Sequence, residues 1–354
     1  MSSKTYTVSA RQPKGNTMAS RPTSAQAKAG DADVTDENPL PEYSLPKVGI
    51  LSYVPSPWVP YGELMRIDKP TGIYAFYFHH LFGTLYACIL LDTPPTLQHL
   101  LKINAILFAG TIFMRGAACS WNDTLDREYD RQVRRCRLRP IARGALSPTQ
   151  GHLFTSLLTL VALSFLYQLP VDCWVLAVPK ILLLALYPFA KRFTDFPQLV
   201  LGFEMSTGLF IGAAAVGYNF CTTEPHTWLA LGLFYLAQIC WTVIYDTVYA
   251  QQDVEDDAKA GVHSMAVRFK DGPRTLLTWV AVLQVVLLAA VGWLQKWGLW
   301  YYSITCAGTA ALLFWNVYTV DLQNPAECMW WFVYGSRMVG AITSVGLGLE
   351  AFLT

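Results

Sequence analysis

Nine apolar stretches recur from residue 72 onward, each close to the length of about 20 residues that an α-helix needs to cross a lipid bilayer. They lie at approximately 72–91, 100–121, 153–169, 173–190, 199–218, 227–249, 275–294, 299–320 and 331–353. The pattern predicts an all-α, multi-pass transmembrane bundle of about nine helices. A count of eight stays open, because Pro170, Val171 and Asp172 are the main break between the third and fourth stretches.

Composition supports a membrane protein. Only 14% of the 354 residues are charged, whereas soluble domains carry about 25%. The net charge of +1 gives no global attraction to nucleic acid, so we expect the bilayer and no nucleic acid as partner.

The first residues differ from the rest of the chain. No Leu, Ile, Phe or Trp precedes Leu40, and a segment this polar cannot bury a core. We therefore expect a disordered tail over 1–45 and a membrane domain over 46–354. The tail is basic before Asp31, as mitochondrial transit peptides are, but it lacks their apolar face.

Positive charge is distributed unevenly among the loops. Thirteen Lys and Arg residues follow the even-numbered stretches, and the opposite side has only Lys102 and Lys296. By the positive-inside rule, the loops after the second, fourth and sixth stretches face the cytoplasm. Polar residues at the ends of these stretches can therefore meet at one face.

Two acidic segments end the second and the sixth stretches with the same spacing of four residues. They comprise Asn122, Asp126 and Asp130, and Tyr249, Asp253 and Asp257. Carboxylates four residues apart at the negative end of a helix repel one another, so a cation is needed there. Mg²⁺ is usually held by one or two carboxylates together with substrate phosphates. The alternative is a pair of solvated acidic helix ends that are neutralised by nearby arginines.

The matched segments also predict internal symmetry. Asp126 and Asp253 lie four stretches apart, and an even number of crossings preserves orientation. We therefore expect two parallel four-helix repeats plus a ninth helix.

Basic residues near the same face could neutralise a phosphate. Those assigned to substrate are Arg66 and Lys69 before the first stretch, Arg137 and Arg139 in the loop after the second, and Arg115 within the second. Glu204, in the fifth stretch, is a further candidate for the wall of a substrate pocket. Arg115 and Glu204 could instead form buried ion pairs, because charges inside a membrane span seek a partner or a cavity.

These motifs resemble the UbiA superfamily of intramembrane aromatic prenyltransferases. The resemblance covers residues from about 60 to 350 and includes the Arg66–Gly72 segment and Tyr187 with Lys191. It implies helices around a central cavity in which Mg²⁺ binds an isoprenyl diphosphate. The implied metal ligands are Asn122, Asp126, Asp130, Asp253 and Asp257. The implied catalytic residues are Asp126, Asp253, Lys191 and Tyr187.

Within that superfamily, the run from Arg137 to Gly144, together with Trp121, is similar to prenyltransferases of fungal meroterpenoid pathways. This similarity implies farnesyl diphosphate as donor, an aromatic polyketide or pyrone as acceptor, and the endoplasmic reticulum or another endomembrane as location. The 4-hydroxybenzoate polyprenyltransferase of ubiquinone synthesis, in the mitochondrial inner membrane, stays open as an alternative. An ion-coupled transporter is the alternative from another class.

Overall fold

The computed structural model describes residues 42–353. Most of the predicted tail, up to residue 41, therefore lies outside the described residues, and its disorder stays a prediction.

Every regular element in the described part of the chain is helical. In chain order, the α-helices are α1 (Val59–Leu64), α2 (Thr71–Leu90), α3 (Leu97–Leu125), α4 (Arg127–Asp130), α5 (Pro148–Leu166), α6 (Val171–Phe193), α7 (Pro197–Ser206), α8 (Gly208–Ala215), α9 (Pro225–Ala250), α10 (Val254–Ala260), α11 (Met265–Arg268), α12 (Pro273–Gln295), α13 (Ala307–Thr319), α14 (Pro325–Trp330) and α15 (Ser336–Leu353). Short 3₁₀ turns occupy Ile50–Tyr53, Ser56–Trp58, Phe220–Thr222 and Gln251–Asp253, and π-helical turns occupy Tyr301–Cys306 and Trp331–Gly335.

Proline marks where many of these helices begin. Five start on a proline, which has no N–H to lose at the first helical position; they are α5, α7, α9, α12 and α14. At the start of α5, Ser147 and Gln150 also form a reciprocal capping box. The polar breaks between apolar stretches thus carry the residues that end one helix and start the next.

The predicted transmembrane bundle is confirmed. Seven helical segments between residues 71 and 295 are long and apolar enough to cross a membrane. The last two predicted stretches are helical as well, although each contains a π-helical turn. The turn predicted between the third and fourth stretches is also present, because α5 ends at Leu166 and α6 begins at Val171.

Helix α2 packs against α3, α8 and α15. Its approach to α8 is close because glycines line the contact. An ideal Cβ on Gly212 would lie 2.0 Å from the His80 carbonyl oxygen, and one on Gly83 would lie 2.0 Å from the Leu209 carbonyl oxygen. Small residues allow helix backbones to approach in this way inside a membrane.

We expect Gly212→Ala to destabilise the protein by about 1–3 kcal/mol, because the new methyl group must push two backbones apart. Gly232→Ala in α9 is the matched control, since no atom lies within 4 Å of its ideal Cβ. The measurement is the melting temperature of the purified protein in detergent. Equal melting temperatures for the two variants would contradict the close packing of α2 on α8.

Candidate active site

Both acidic segments lie where a long helix ends and a short one begins. Asp126 separates α3 from α4, with φ −90° and ψ 9°. Its backbone N–H still donates to the Asn122 carbonyl, and the Asp130 N–H donates to the Asp126 carbonyl, both at 2.8 Å. The three side chains therefore keep the helical spacing. Asp253 has a comparable backbone, φ −119° and ψ 5°, at the junction before α10.

The two segments meet at one polar cavity with an empty volume of about 790 Å³. The acids that line it are Asp126, Asp130, Asp246, Asp253 and Asp257. The Arg and Lys residues that line it are Arg135, Arg139, Lys191 and Arg192. The structure thus brings together residues from α3, α4, α6, α9, α10 and the long loop after α4. The sequence spacing predicted that these residues converge, and the tertiary structure was needed to show it.

Lys191 pairs with the first acidic segment. Its Nζ donates to Asp126 Oδ2 at 3.0 Å and to Asn122 Oδ1 at 3.4 Å. The same ammonium lies 5.2 Å from the centre of the Tyr187 ring, within the range of a cation–π contact. Tyr187 and Lys191 lie one helical turn apart on α6. The Tyr187 ring therefore stabilises the ammonium group of Lys191 in its position beside Asp126.

Arg135 pairs with the second acidic segment. Its Nε donates to both carboxylate oxygens of Asp253, at 2.9 and 3.0 Å, and its Nη1 donates to the Tyr249 hydroxyl at 2.6 Å. The loop after α4 is thereby tied to the end of α9. Asp253 is buried, and a planar guanidinium is well suited to satisfying a carboxylate in such a place.

Arg139 links the remaining acids of the first segment. Its Nη1 donates to Asp123 at 3.1 Å and to Asp130 at 2.9 Å, and Asp123 also pairs with Arg66 at 2.6 Å. Burial raises the pKa of Asp130 to about 6, although the Arg139 charge opposes the rise. Lys69 lies near the same arginines, and its pKa is lowered by burial and then by the charge of Arg66.

Arg115 holds the backbone of the Arg66 turn in place. Its Nη1 donates to the carbonyl oxygens of Met65 and Arg66, at 3.3 and 2.8 Å. Arg66 itself has a φ of 58°, in the left-handed region that residues other than glycine seldom adopt. An ideal Cβ on Gly72 would lie 2.5 Å from Arg115 Nε, so the glycine makes room for the guanidinium. Arg115 holds the Arg66 turn, and its predicted contact with substrate stays a prediction.

Of the residues assigned to substrate, Arg139 lines the polar cavity, whereas Arg66, Lys69, Arg115, Arg137 and Glu204 lie outside its lining. Glu204 is fully buried and pairs with Lys180, whose Nζ lies 2.8 Å from Glu204 Oε1. Lys180, in turn, lines a separate apolar cavity of about 590 Å³ between α2, α3, α5, α6 and α8. Arg137 lines neither of these two cavities. Contact of Glu204 and Arg137 with substrate stays a prediction.

Sequence reasoning missed two features of the cavity. It did not single out Arg135 among the six arginines of the loop after α4, because nothing local distinguishes the one that reaches Asp253. It also overlooked His263, which lines the cavity from the loop after α10. No sequence motif identifies His263, because its position depends on how two loops fold against each other.

The donor set at this cavity fits a divalent metal of the hard, oxygen-preferring kind. In residues 42–353, no group of three His, Cys, Asp or Glu side chains forms a ready-made metal cage. That observation agrees with the usual coordination of Mg²⁺, which takes one or two protein carboxylates and completes its shell with substrate phosphates and water. The carboxylates of both segments are held instead by Arg and Lys side chains.

Comparison with known proteins identifies the family. The model of the UbiA prenyltransferase family matches residues 81–339. The prenyltransferase ascA of Acremonium egyptiacum is 38% identical over 83% of this chain and 89% of its own length. The chain belongs to the UbiA prenyltransferase family.

Other UbiA relatives are similar at comparable levels. The prenyltransferase stbC of Stachybotrys bisbyi is 37% identical over 75% of this chain and 79% of its own. The mitochondrial 4-hydroxybenzoate polyprenyltransferase of Schizosaccharomyces pombe is 35% identical over 83% of this chain and 80% of its own. The predicted family is therefore confirmed, and so is the prediction of an enzyme that transfers prenyl groups to aromatic acceptors.

Solved UbiA structures share the fold. A homolog from Aeropyrum pernix K1 aligns with a TM-score of 0.60 at 20% identity, covering 80% of this chain and 97% of its own. A homolog from Archaeoglobus fulgidus, bound to GPP and Mg²⁺, aligns with a TM-score of 0.59 at 16% identity, covering 81% and 99%. These likenesses concern the fold alone. The family match and the apolar helices together indicate an integral membrane enzyme, and the transporter alternative is not retained.

Proposed function

We propose that this UbiA enzyme transfers a farnesyl group from farnesyl diphosphate to an aromatic polyketide or pyrone, as a step of meroterpenoid biosynthesis. The observation that carries the proposal is the meeting of both acidic segments and their cations in one cavity at an end of the bundle. Such a cavity suits a polyanionic head group, while the surrounding bilayer suits an isoprenyl chain. The two fungal prenyltransferases among the relatives favour this branch.

Mg²⁺ is the proposed cofactor, held by Asn122, Asp126, Asp130, Asp253 and Asp257. The Archaeoglobus fulgidus homolog of similar fold, which is described as bound to GPP and Mg²⁺, supports this choice. When bound, the metal would supply Lewis acidity that neutralises charge on the diphosphate. Asn122 belongs to this set through its amide oxygen, which already accepts a hydrogen bond from Lys191.

The protein's own cations complete the leaving-group site. In the proposal, Lys191, Arg139 and Arg135 bind the diphosphate oxygens and take up negative charge as the allylic carbon–oxygen bond breaks. Preorganised charge of this kind is worth most where water is excluded. Tyr187 keeps Lys191 in place through the ring contact described above, so we assign it a positioning role close to the reacting group.

The residues before α2 are linked to the same head-group site, although they do not line the cavity. Arg66 pairs with Asp123, which also pairs with the cavity residue Arg139, and the charges of Arg66, Arg135 and Arg139 act on Lys69. We propose that they attract the diphosphate and that Arg115 maintains the Arg66 turn. The excess of Lys and Arg in the loops at this end supports a cytoplasmic orientation, in the endoplasmic reticulum or another endomembrane.

A 4-hydroxybenzoate polyprenyltransferase is the second candidate, because the Schizosaccharomyces pombe relative carries that name. The two functions differ in both substrates. The donor would be a long polyprenyl diphosphate rather than a C15 one, and the acceptor a simple phenolic acid rather than a polyketide or pyrone.

A substrate panel separates these candidates. Membranes containing the enzyme would be incubated with Mg²⁺, prenyl diphosphates of graded length, and a set of phenolic acids and pyrones, and the products weighed by mass spectrometry. We expect a covalent product with farnesyl diphosphate and a polyketide-type phenol or pyrone. Product formed only from long polyprenyl donors and 4-hydroxybenzoate would overturn the choice of branch.

A further inference from the structure

We propose that His263 is a further substrate-contacting residue, which donates a hydrogen bond from a charged imidazole to the terminal phosphate of the diphosphate. This inference rests on the proposed function and adds a residue to its head-group site. His263 lines the polar cavity from the loop between α10 and α11.

Asp195 orients the imidazole. The Nδ1 atom of His263 lies 2.6 Å from Asp195 Oδ1, in the loop between α6 and α7. One ring nitrogen is thereby engaged, and Nε2 is the nitrogen left to serve a ligand. In the protonated ring both nitrogens are donors. Asp195 then supplies a counter-charge behind the ring, as carboxylates behind functional histidines commonly do.

The backbone around His263 is held from both sides. The His263 N–H donates to the Lys191 carbonyl at 3.0 Å. Two residues later, the Met265 N–H donates to Gln198 Oε1 at 3.0 Å, and both of those residues are buried. These bonds fix the imidazole relative to Lys191, the residue that already serves the first acidic segment.

His263 differs from the other cations of the cavity in the place of its partner. Arg135, Arg139 and Lys191 each pair with acids that line the cavity, so their charge is largely balanced there. Asp195 is not among the lining residues. His263 therefore adds a donor to the cavity without engaging any of the carboxylates that line it, which leaves that donor for a polyanion.

The position of His263 selects the terminal phosphate. Its side chain is 49% exposed, so it stands at the watery mouth rather than deep in the bundle. An isoprenyl diphosphate directs its hydrocarbon chain toward the membrane, and its terminal phosphate is the part farthest from that chain. The mouth of the cavity is therefore where that phosphate would lie.

Charged groups from several elements surround His263. Asp195 faces the ring, and Arg268 of α11 lies 3.7 Å from the same carboxylate. Lys191, Arg192 and Asp257 share the cavity wall.

The test measures binding of inorganic diphosphate, in MgCl₂, to the purified full-length protein by calorimetry. We expect His263→Gln to weaken binding about tenfold, as expected for loss of one charge-assisted hydrogen bond. His263→Lys, which supplies a charged donor at the same position, should bind diphosphate nearly as well as the wild type does.

Two further variants sharpen the test. Asp195→Asn should weaken binding less than His263→Gln does, because the imidazole remains but loses its orienting partner. His226→Gln is the control, since His226 lies at the start of α9, the opposite end from the acids. It should bind diphosphate as the wild type does.

Three results would overturn the inference. Equal binding by the wild type and His263→Gln would remove the contact. An equal loss in His263→Gln and His263→Lys would show a structural role only. Failure of the wild type to bind diphosphate at all would overturn the proposed function together with this inference, whereas normal binding and prenyl transfer by His263→Gln would overturn this inference alone.

Discussion

Replacing Asp253 by Ala is expected to reduce prenyl transfer about 10²–10³-fold, the usual cost of removing one preorganised electrostatic group from an active site. Asp253 lines the polar cavity and is only 8% exposed, so water cannot take its place freely. The variant also leaves Arg135 without the carboxylate that it holds through bonds of 2.9 and 3.0 Å. Turnover would be measured in membranes with a prenyl diphosphate and an accepted aromatic substrate.

Glu255→Ala provides the matched control for this experiment. Glu255 lies two residues away in the same acidic segment, but it is exposed and does not line the cavity. We expect its activity to stay within about twofold of the wild type, as is usual for surface substitutions away from a site. Size-exclusion profiles in detergent would show that both variants fold. Near-wild-type turnover by Asp253→Ala would contradict the metal and diphosphate role of the second segment.

Chelation of divalent metal is expected to reduce prenyl transfer to the background of the assay. The carboxylates of the two acidic segments are paired with Arg and Lys, and no protein-only cage of three ligands exists in the described residues. We therefore expect the metal to bind together with the diphosphate and to exchange readily. EDTA should abolish transfer, and excess Mg²⁺ should restore it within minutes.

A binding measurement separates this effect from inactivation. Inorganic diphosphate should bind at least about tenfold more weakly in EDTA than in MgCl₂, because the metal would offset the repulsion between the diphosphate and the carboxylates of the cavity. A control sample returned from EDTA to Mg²⁺ should regain full activity and an unchanged melting temperature. Transfer that continues at the full rate in EDTA would show that the Arg and Lys residues suffice without a metal.

The site shows where sequence reasoning succeeded. The repeated spacing of Asn122, Asp126 and Asp130 located one half of the cavity, since a helical period places side chains on a common face. The same period around Asp253 located the other half. Helix ends, the lengths of apolar stretches and the spacing of acidic residues are all local properties. Local properties can be recognised in a single sequence.

The same reasoning was less informative about long basic side chains. Glu204 could have lined the substrate pocket or formed a buried ion pair, and the structure pairs it with Lys180. Arg115 had the same two interpretations, and its guanidinium binds two backbone carbonyls. A Lys or Arg side chain can reach in several directions from one helix face, so the sequence restricts its partner only weakly.

The amino-acid sequence by itself determined the transmembrane helical bundle and the two acidic helix ends, because each follows from hydrophobic length or from periodic spacing within one segment. Its motifs also resemble the UbiA superfamily. Tertiary structure alone decided that Arg135 serves Asp253, 118 residues away, and that Asp195 orients His263, 68 residues away. Such pairs depend on how separate helices and loops pack. Packing is a property of the whole fold, and no local pattern of residues encodes it.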